Sequence, residues 1–73
     1  MNTRQAKQII RDAMENYGLV GFKLTARTID FTDLARASCI FVQIHAPSYE
    51  PFPHYQELRE LAVSNNFRIE VRQ

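Results

Sequence analysis

Apolar residues recur along this chain with two periods. From Ala6 they fall at Ile9, Ile10, Ala13, Met14 and Tyr17, the i, i+3, i+4, i+7 spacing of one helical stripe. Arg4, Lys7, Gln8, Arg11, Asp12 and Glu15 fill the other side. The spacing predicts a helix over about residues 3–17, with Asn2 or Thr3 as N-cap and Gly18 as the left-handed C-terminal stop. The period then drops to two. Phe22, Leu24 and Ala26 alternate with Lys23, Thr25 and Arg27, as on a half-buried strand. The parity shifts at Ile29 and Phe31, which predicts a bulge or bend near residues 27–29. Asp30, Thr32 and Asp33 supply turn chemistry.

Residues 35–45 read as a second strand, with Ile40, Val42 and Ile44 on one face and Cys39, Phe41, Gln43 and His45 on the other. Three prolines within residues 47–53 predict a loop, Pro53 sitting in the first turn of the next helix. Tyr55, Leu58, Leu61 and Ala62, with Phe52 before them, make a second helical stripe, and Asn65 and Asn66 end it. The chain closes on Phe67, Ile69 and Val71 alternating with Arg68, Glu70 and Arg72, a third strand.

The order α-β-β-α-β predicts an α+β two-layer sandwich: a three-stranded mixed sheet with two helices on one face, in a single domain spanning residues 1–73. The strand–helix–strand crossover should be right-handed and makes the last strand parallel to the second, with the first strand expected between them. The expected core is Ala6, Ile9, Ile10, Ala13, Met14, Tyr17, Phe22, Leu24, Ile40, Val42, Ile44, Leu58, Leu61, Ala62, Phe67, Ile69 and Val71.

Composition narrows the function classes. Ile, Leu, Val and Phe are 20 of 73 residues, too many for a disordered chain. No apolar run approaches the roughly 18 residues of a membrane helix, and the charged N-terminus, with no apolar stretch, is not expected to be a signal peptide. A small cytoplasmic domain is expected, with no membrane partner. One cysteine excludes an internal disulfide. A core this small has little apolar surface to spare for a catalytic cleft, so binding on an exterior surface is its less costly use.

Strand parity identifies that surface. If both helices cover one face, the other carries Lys23, Thr25 and Arg27, then Cys39, Phe41, Gln43 and His45, then Arg68, Glu70 and Arg72. The candidate binding residues on it are Lys23, Thr25, Arg27, Phe41, Gln43, His45, Arg68 and Arg72. Cations with a ring among them suit single-stranded nucleic acid, by phosphate neutralisation and base stacking. Arginine and aromatic side chains equally suit a protein interface. The simpler reading is the ordinary polar face of an antiparallel sheet. Tyr49 and Phe52 in the proline loop are a second candidate contact, as exposed anchors or as a lid over the core.

Catalysis finds no convergent group. Cys39 and His45 share a strand face but stand six residues, roughly 20 Å, apart. His54 lacks further ligands at metal-binding spacing. Glu57 and Glu60 share a solvated helix face. No catalytic residue, metal or cofactor is expected. Gly18-Leu19-Val20-Gly21 has the letters of the GxxG loop of KH domains, but it precedes the first strand, whereas that family's loop lies between two core helices. Helix cap and strand entry are the expected roles of the two glycines.

The first half also looks like a small domain family of large polyvalent proteins from phages and plasmids. The resemblance covers residues 4–44. It rests on Ala6-Lys7-x-Ile9-Ile10-Arg11, on Gly21-Phe22-Lys23-Leu24-Thr25-Ala26-Arg27 and on Cys39-Ile40-Phe41-Val42. The chain departs from the family at DFTD, where the family tends to glycine and serine. No catalytic residue comes with the resemblance. It implies a mobile-element origin and, by analogy, an inhibitor of host or defence machinery such as an anti-CRISPR protein. The expectation is therefore a non-enzymatic protein that occupies a protein or nucleoprotein partner. Nucleic acid held on the basic sheet face is the alternative, and a homodimer is a further use of the same surface.

Overall fold

In the computed structural model, which describes residues 1–31, 37–47 and 51–72, the elements follow the order α-β-β-α-β. Helix α1 spans Thr3–Asn16, strands β1 and β2 span Lys23–Phe31 and Ala37–His45, helix α2 spans Tyr55–Ser64, and strand β3 spans Arg68–Arg72. The predicted turn residues Thr32 and Asp33 lie outside the described residues. Asp30 belongs to β1.

Each helix ends where its sequence changes chemistry. Asn2 caps α1 through a capping box: its side chain accepts from the Gln5 amide at 2.8 Å, and the Gln5 side chain accepts from the Asn2 amide at 2.9 Å. At the other end Gly18 takes φ 76°, and the Gly18 and Leu19 amides donate to the carbonyls of Glu15 and Met14. That is a Schellman closure. Asn66 plays the same part for α2 at φ 66°, with the Phe67 amide donating to the Ala62 carbonyl at 3.0 Å. The start of α2 differs from expectation. His54, not a residue with a capping side chain, is the N-cap, in a left-handed conformation, and Pro53 precedes the helix.

The strands lie in the order β1-β2-β3, with β2 central. Strand β3 is parallel to β2, as the crossover requires, but the expected placement of β1 between them is wrong. The central position goes to the strand with three bulky β-branched residues on its inner face, Ile40, Val42 and Ile44; β1 offers Leu24, Ala26 and Thr28 there. The expected bulge is also absent. The β1–β2 ladder runs one-to-one from Lys23 opposite His45 to Phe31 opposite Ala37. The parity shift therefore places Ile29 on the same face as Lys23, Thr25 and Arg27.

Both helices contribute to one core on the inner face. Ala6, Ile10, Met14, Leu24, Val42, Ile44, Leu58, Ala62, Phe67 and Ile69 are buried in a single cluster, and Ile9, Ala13, Phe22, Ile40 and Val71 pack against it. Leu61 is partly buried. Tyr17 is a correction: it is the C-cap of α1, 41% exposed, and stacks flat on His54 at a centroid distance of 4.2 Å. Ala46 joins the core beyond expectation, and Phe52 joins it in the lid role that was one of its two expected ones. The Ala46 amide donates to the Arg72 carbonyl at 2.9 Å, extending the β2–β3 pairing. Among the described residues, no helix is long and apolar enough to cross a membrane.

Candidate functional site

The sheet register arranges the uncovered face as rows running across the strands. Arg27, Phe41 and Arg68 form one row. Thr25, Gln43 and Glu70 form the next. Lys23, His45 and Arg72 form the third. Beyond the first row, where β3 has ended, Ile29 stands opposite Cys39. Successive rows are two residues apart, roughly 7 Å along the strands, and neighbouring strands are about 4.8 Å apart. The two cationic rows are therefore about 14 Å apart, with a ring at the centre of one and an imidazole at the centre of the other.

The middle row ties the sheet together. The Thr25 hydroxyl donates to Gln43 Oε1 at 3.0 Å, and Gln43 Nε2 donates to Glu70 Oε2 at 3.5 Å. Thr25 Oγ1 also lies 3.0 Å from His45 Nε2. Glu70 Oε1 lies 3.9 Å from Arg72 Nε. Gln43 is only 7% exposed, because it sits on the central strand between two polar neighbours and both ends of its amide are engaged. It stands on the predicted face but is spent inside the sheet, so its sequence-based assignment as an outward contact is corrected.

The charged groups are presented differently. Lys23, Arg27, Arg68 and Arg72 are all exposed, and Phe41 and His45 are partly buried beside them. These are four of the nine Lys and Arg residues, set against one of the eight Asp and Glu residues, Glu70. The chain as a whole carries a net charge of only +1, so among the described residues positive charge is concentrated on this face.

Of the two loop candidates, Phe52 lies within the described residues. Phe52 is 7% exposed and meets Phe22 edge-on at a centroid distance of 5.4 Å, so it is a lid over the core and not an exposed anchor. Tyr49 lies outside the described residues. Ile29 was missed by parity reading, because the apparent change of face looked like a bulge; its signal was the β-branched residue itself, one alternation beyond Arg27.

The nucleophile and metal candidates remain apart. Cys39 and His45 stand six residues apart on β2's outer face, and the Cys39 Sγ contacts the Ile40 carbonyl at 3.6 Å. His54 is engaged by Tyr17, with its Nδ1 3.7 Å from Glu57 Oε2. Among the described residues, no group of three His, Cys, Asp or Glu side chains could hold a metal ion. Gly18 and Gly21 take φ 76° and 85° at the exit of α1 and before β1, the roles of cap and strand entry. Comparison with protein-family models, with curated proteins and with solved structures finds no match for this chain.

Proposed function

We propose that this protein is a non-enzymatic binding protein that acts by occupying a macromolecular partner with the outer face of its sheet. One observation carries the reading: four exposed cations flank a phenylalanine and a histidine in register on a face that neither helix covers. An aromatic ring beside arginines is the composition in which binding energy concentrates. The resemblance of residues 4–44 to the phage and plasmid domain family suggests a mobile-element setting. There, a small binder of this kind would serve as an inhibitor of host or defence machinery, an anti-CRISPR protein among them.

The test is affinity capture from an extract of the source cells. The wild-type chain is compared with an Arg27→Glu, Arg68→Glu variant and with an Arg4→Glu, Arg59→Glu control, whose residues are exposed on the two helices. The reading expects a macromolecule retained by the wild type and the control and lost from the sheet variant. Retention by the sheet variant, with loss from the helix control, would move the interface to the helices and end the proposal.

A further inference from the structure

Resting on that reading of the outer face, we infer that its occupant is single-stranded nucleic acid, lying across the strands with a base stacked on Phe41 and phosphates on the two cationic rows. Three features of the face favour this occupant. The first is charge. Among the described residues the face carries Lys23, Arg27, Arg68 and Arg72 against Glu70 alone, and Glu70 is turned toward Gln43 and Arg72. A polyanion complements that distribution, whereas a second copy of the same face would repel it.

The second feature is the position of the ring. Phe41 is on the central strand, with Arg27 and Arg68 as its direct cross-strand neighbours. A base set on the ring thus brings its own phosphates toward cations on both sides. Base–aromatic stacking demands an unpaired base, because the faces of paired bases are occupied within the duplex. The second cationic row, about 14 Å away along the strands, receives the continuing backbone, giving a footprint of about two or three nucleotides.

The third feature sets the selectivity. Base identity and the ribose 2′-hydroxyl are read by free polar side chains. The polar groups at the centre of this face are already engaged with one another: Thr25 with Gln43 and His45, and Gln43 with Glu70. What remains outward is the Phe41 ring, one edge of the His45 imidazole and charge, with little hydrogen-bonding to read a sequence. The face therefore binds DNA and RNA single strands alike and discriminates poorly among bases.

Fluorescence anisotropy of the full chain with labelled mixed-sequence single strands of about 12 nucleotides, DNA and RNA, tests this directly. Four displaced counterions predict a loss of affinity of about 50-fold between roughly 50 and 200 mM salt. A duplex of the same length should bind more weakly. Phe41→Ala should weaken binding about tenfold or more, a single stacked base being worth roughly 5- to 150-fold. Phe41→Trp should bind as the wild type does, with its indole emission quenched by the strand. Arg27→Glu with Arg68→Glu should abolish binding, circular dichroism confirming the fold. No anisotropy change at low salt, equal binding of duplex and single strand, or binding indifferent to the Phe41 and arginine changes would each overturn the inference. Should nucleic acid fail while a nuclease-resistant protein partner is captured and lost from the arginine variant, the occupant is a protein and the face reading stands. Should neither depend on the face, both fall.

Discussion

The two faces of this sheet are built from the same three strands by the same alternation, yet they are held by opposite means. On the inner face Leu24, Val42, Ile44 and Ile69 are buried under two helices, and their stabilisation is apolar area removed from water. On the outer face the strands are joined by side-chain hydrogen bonds through Thr25, Gln43 and Glu70, with exposed cations on either side. Gln43 shows how a residue on the uncovered face can be as buried as a core residue. Its burial comes from its strand neighbours and not from a covering layer. Facing away from the core is therefore a poor guide to availability: on the edge strands the four cations are exposed, whereas Thr25 and Glu70 are partly buried.

That contrast is open to direct attack. The largest effect should come from the inner face. Ile44 is fully buried, and Ile44→Ala should cost about 2–5 kcal/mol. In a domain this small that leaves much of the chain unfolded at room temperature, a result that urea unfolding would read. Next is Gln43→Ala, which removes the acceptor of the Thr25 hydroxyl and one of the two partners of Glu70, leaving Thr25 with His45 and Glu70 with Arg72, and should cost about 1 kcal/mol. A double-mutant cycle with Thr25→Val sharpens the point: coupling near zero would show that the polar row contributes nothing as a row.

Phe41→Ala follows, with an expected loss below about 1.5 kcal/mol, against about 3–5 kcal/mol for truncating a core phenylalanine such as Phe67. A melting temperature that falls as far for Phe41→Ala as for Ile44→Ala would erase the distinction between the faces. The smallest effect belongs to the cations. Arg27→Gln and Arg68→Gln should each change stability by no more than about 0.5 kcal/mol, since exposed substitutions away from special features rarely do more. A larger loss in thermal unfolding would assign these arginines to the fold and not to a partner.

Much of this was legible in the chain. The apolar stripe of α1, the asparagine ending α2 and the period-two strands are local signals, and each maps onto an observed element. The parity of Phe41 against Val42 likewise put the ring and the cations on one face. What escaped depends on residues distant in sequence. Which of Phe52's two expected roles holds, lid or anchor, is decided by Phe22, thirty positions earlier, which comes edge-on to it. Tyr17 leaves the core because His54 offers a flat partner at the helix end. The strand order turns on which strand best fills the middle, a comparison among three segments that no single window contains. Ile29 misled because a change of hydrophobic parity has two physical causes, a bulge or a change in what covers the sheet, and alternation alone does not separate them.

The parallel pairing of β2 with β3 also bears on the order of assembly. Every partner pair in that ladder is 27 positions apart, Phe41 with Arg68 through His45 with Arg72, whereas the β1–β2 ladder begins at Phe31 with Ala37, six positions apart. Loop closure favours the hairpin first, and β3, bringing Phe67 with it, must dock late. Arg68 and Arg72 arrive with that strand, so the cationic rows do not exist until the chain has finished folding. A ligand spanning those rows would hold β3 in place, shifting the docking equilibrium by mass action and slowing exchange of the β3 amides before any other.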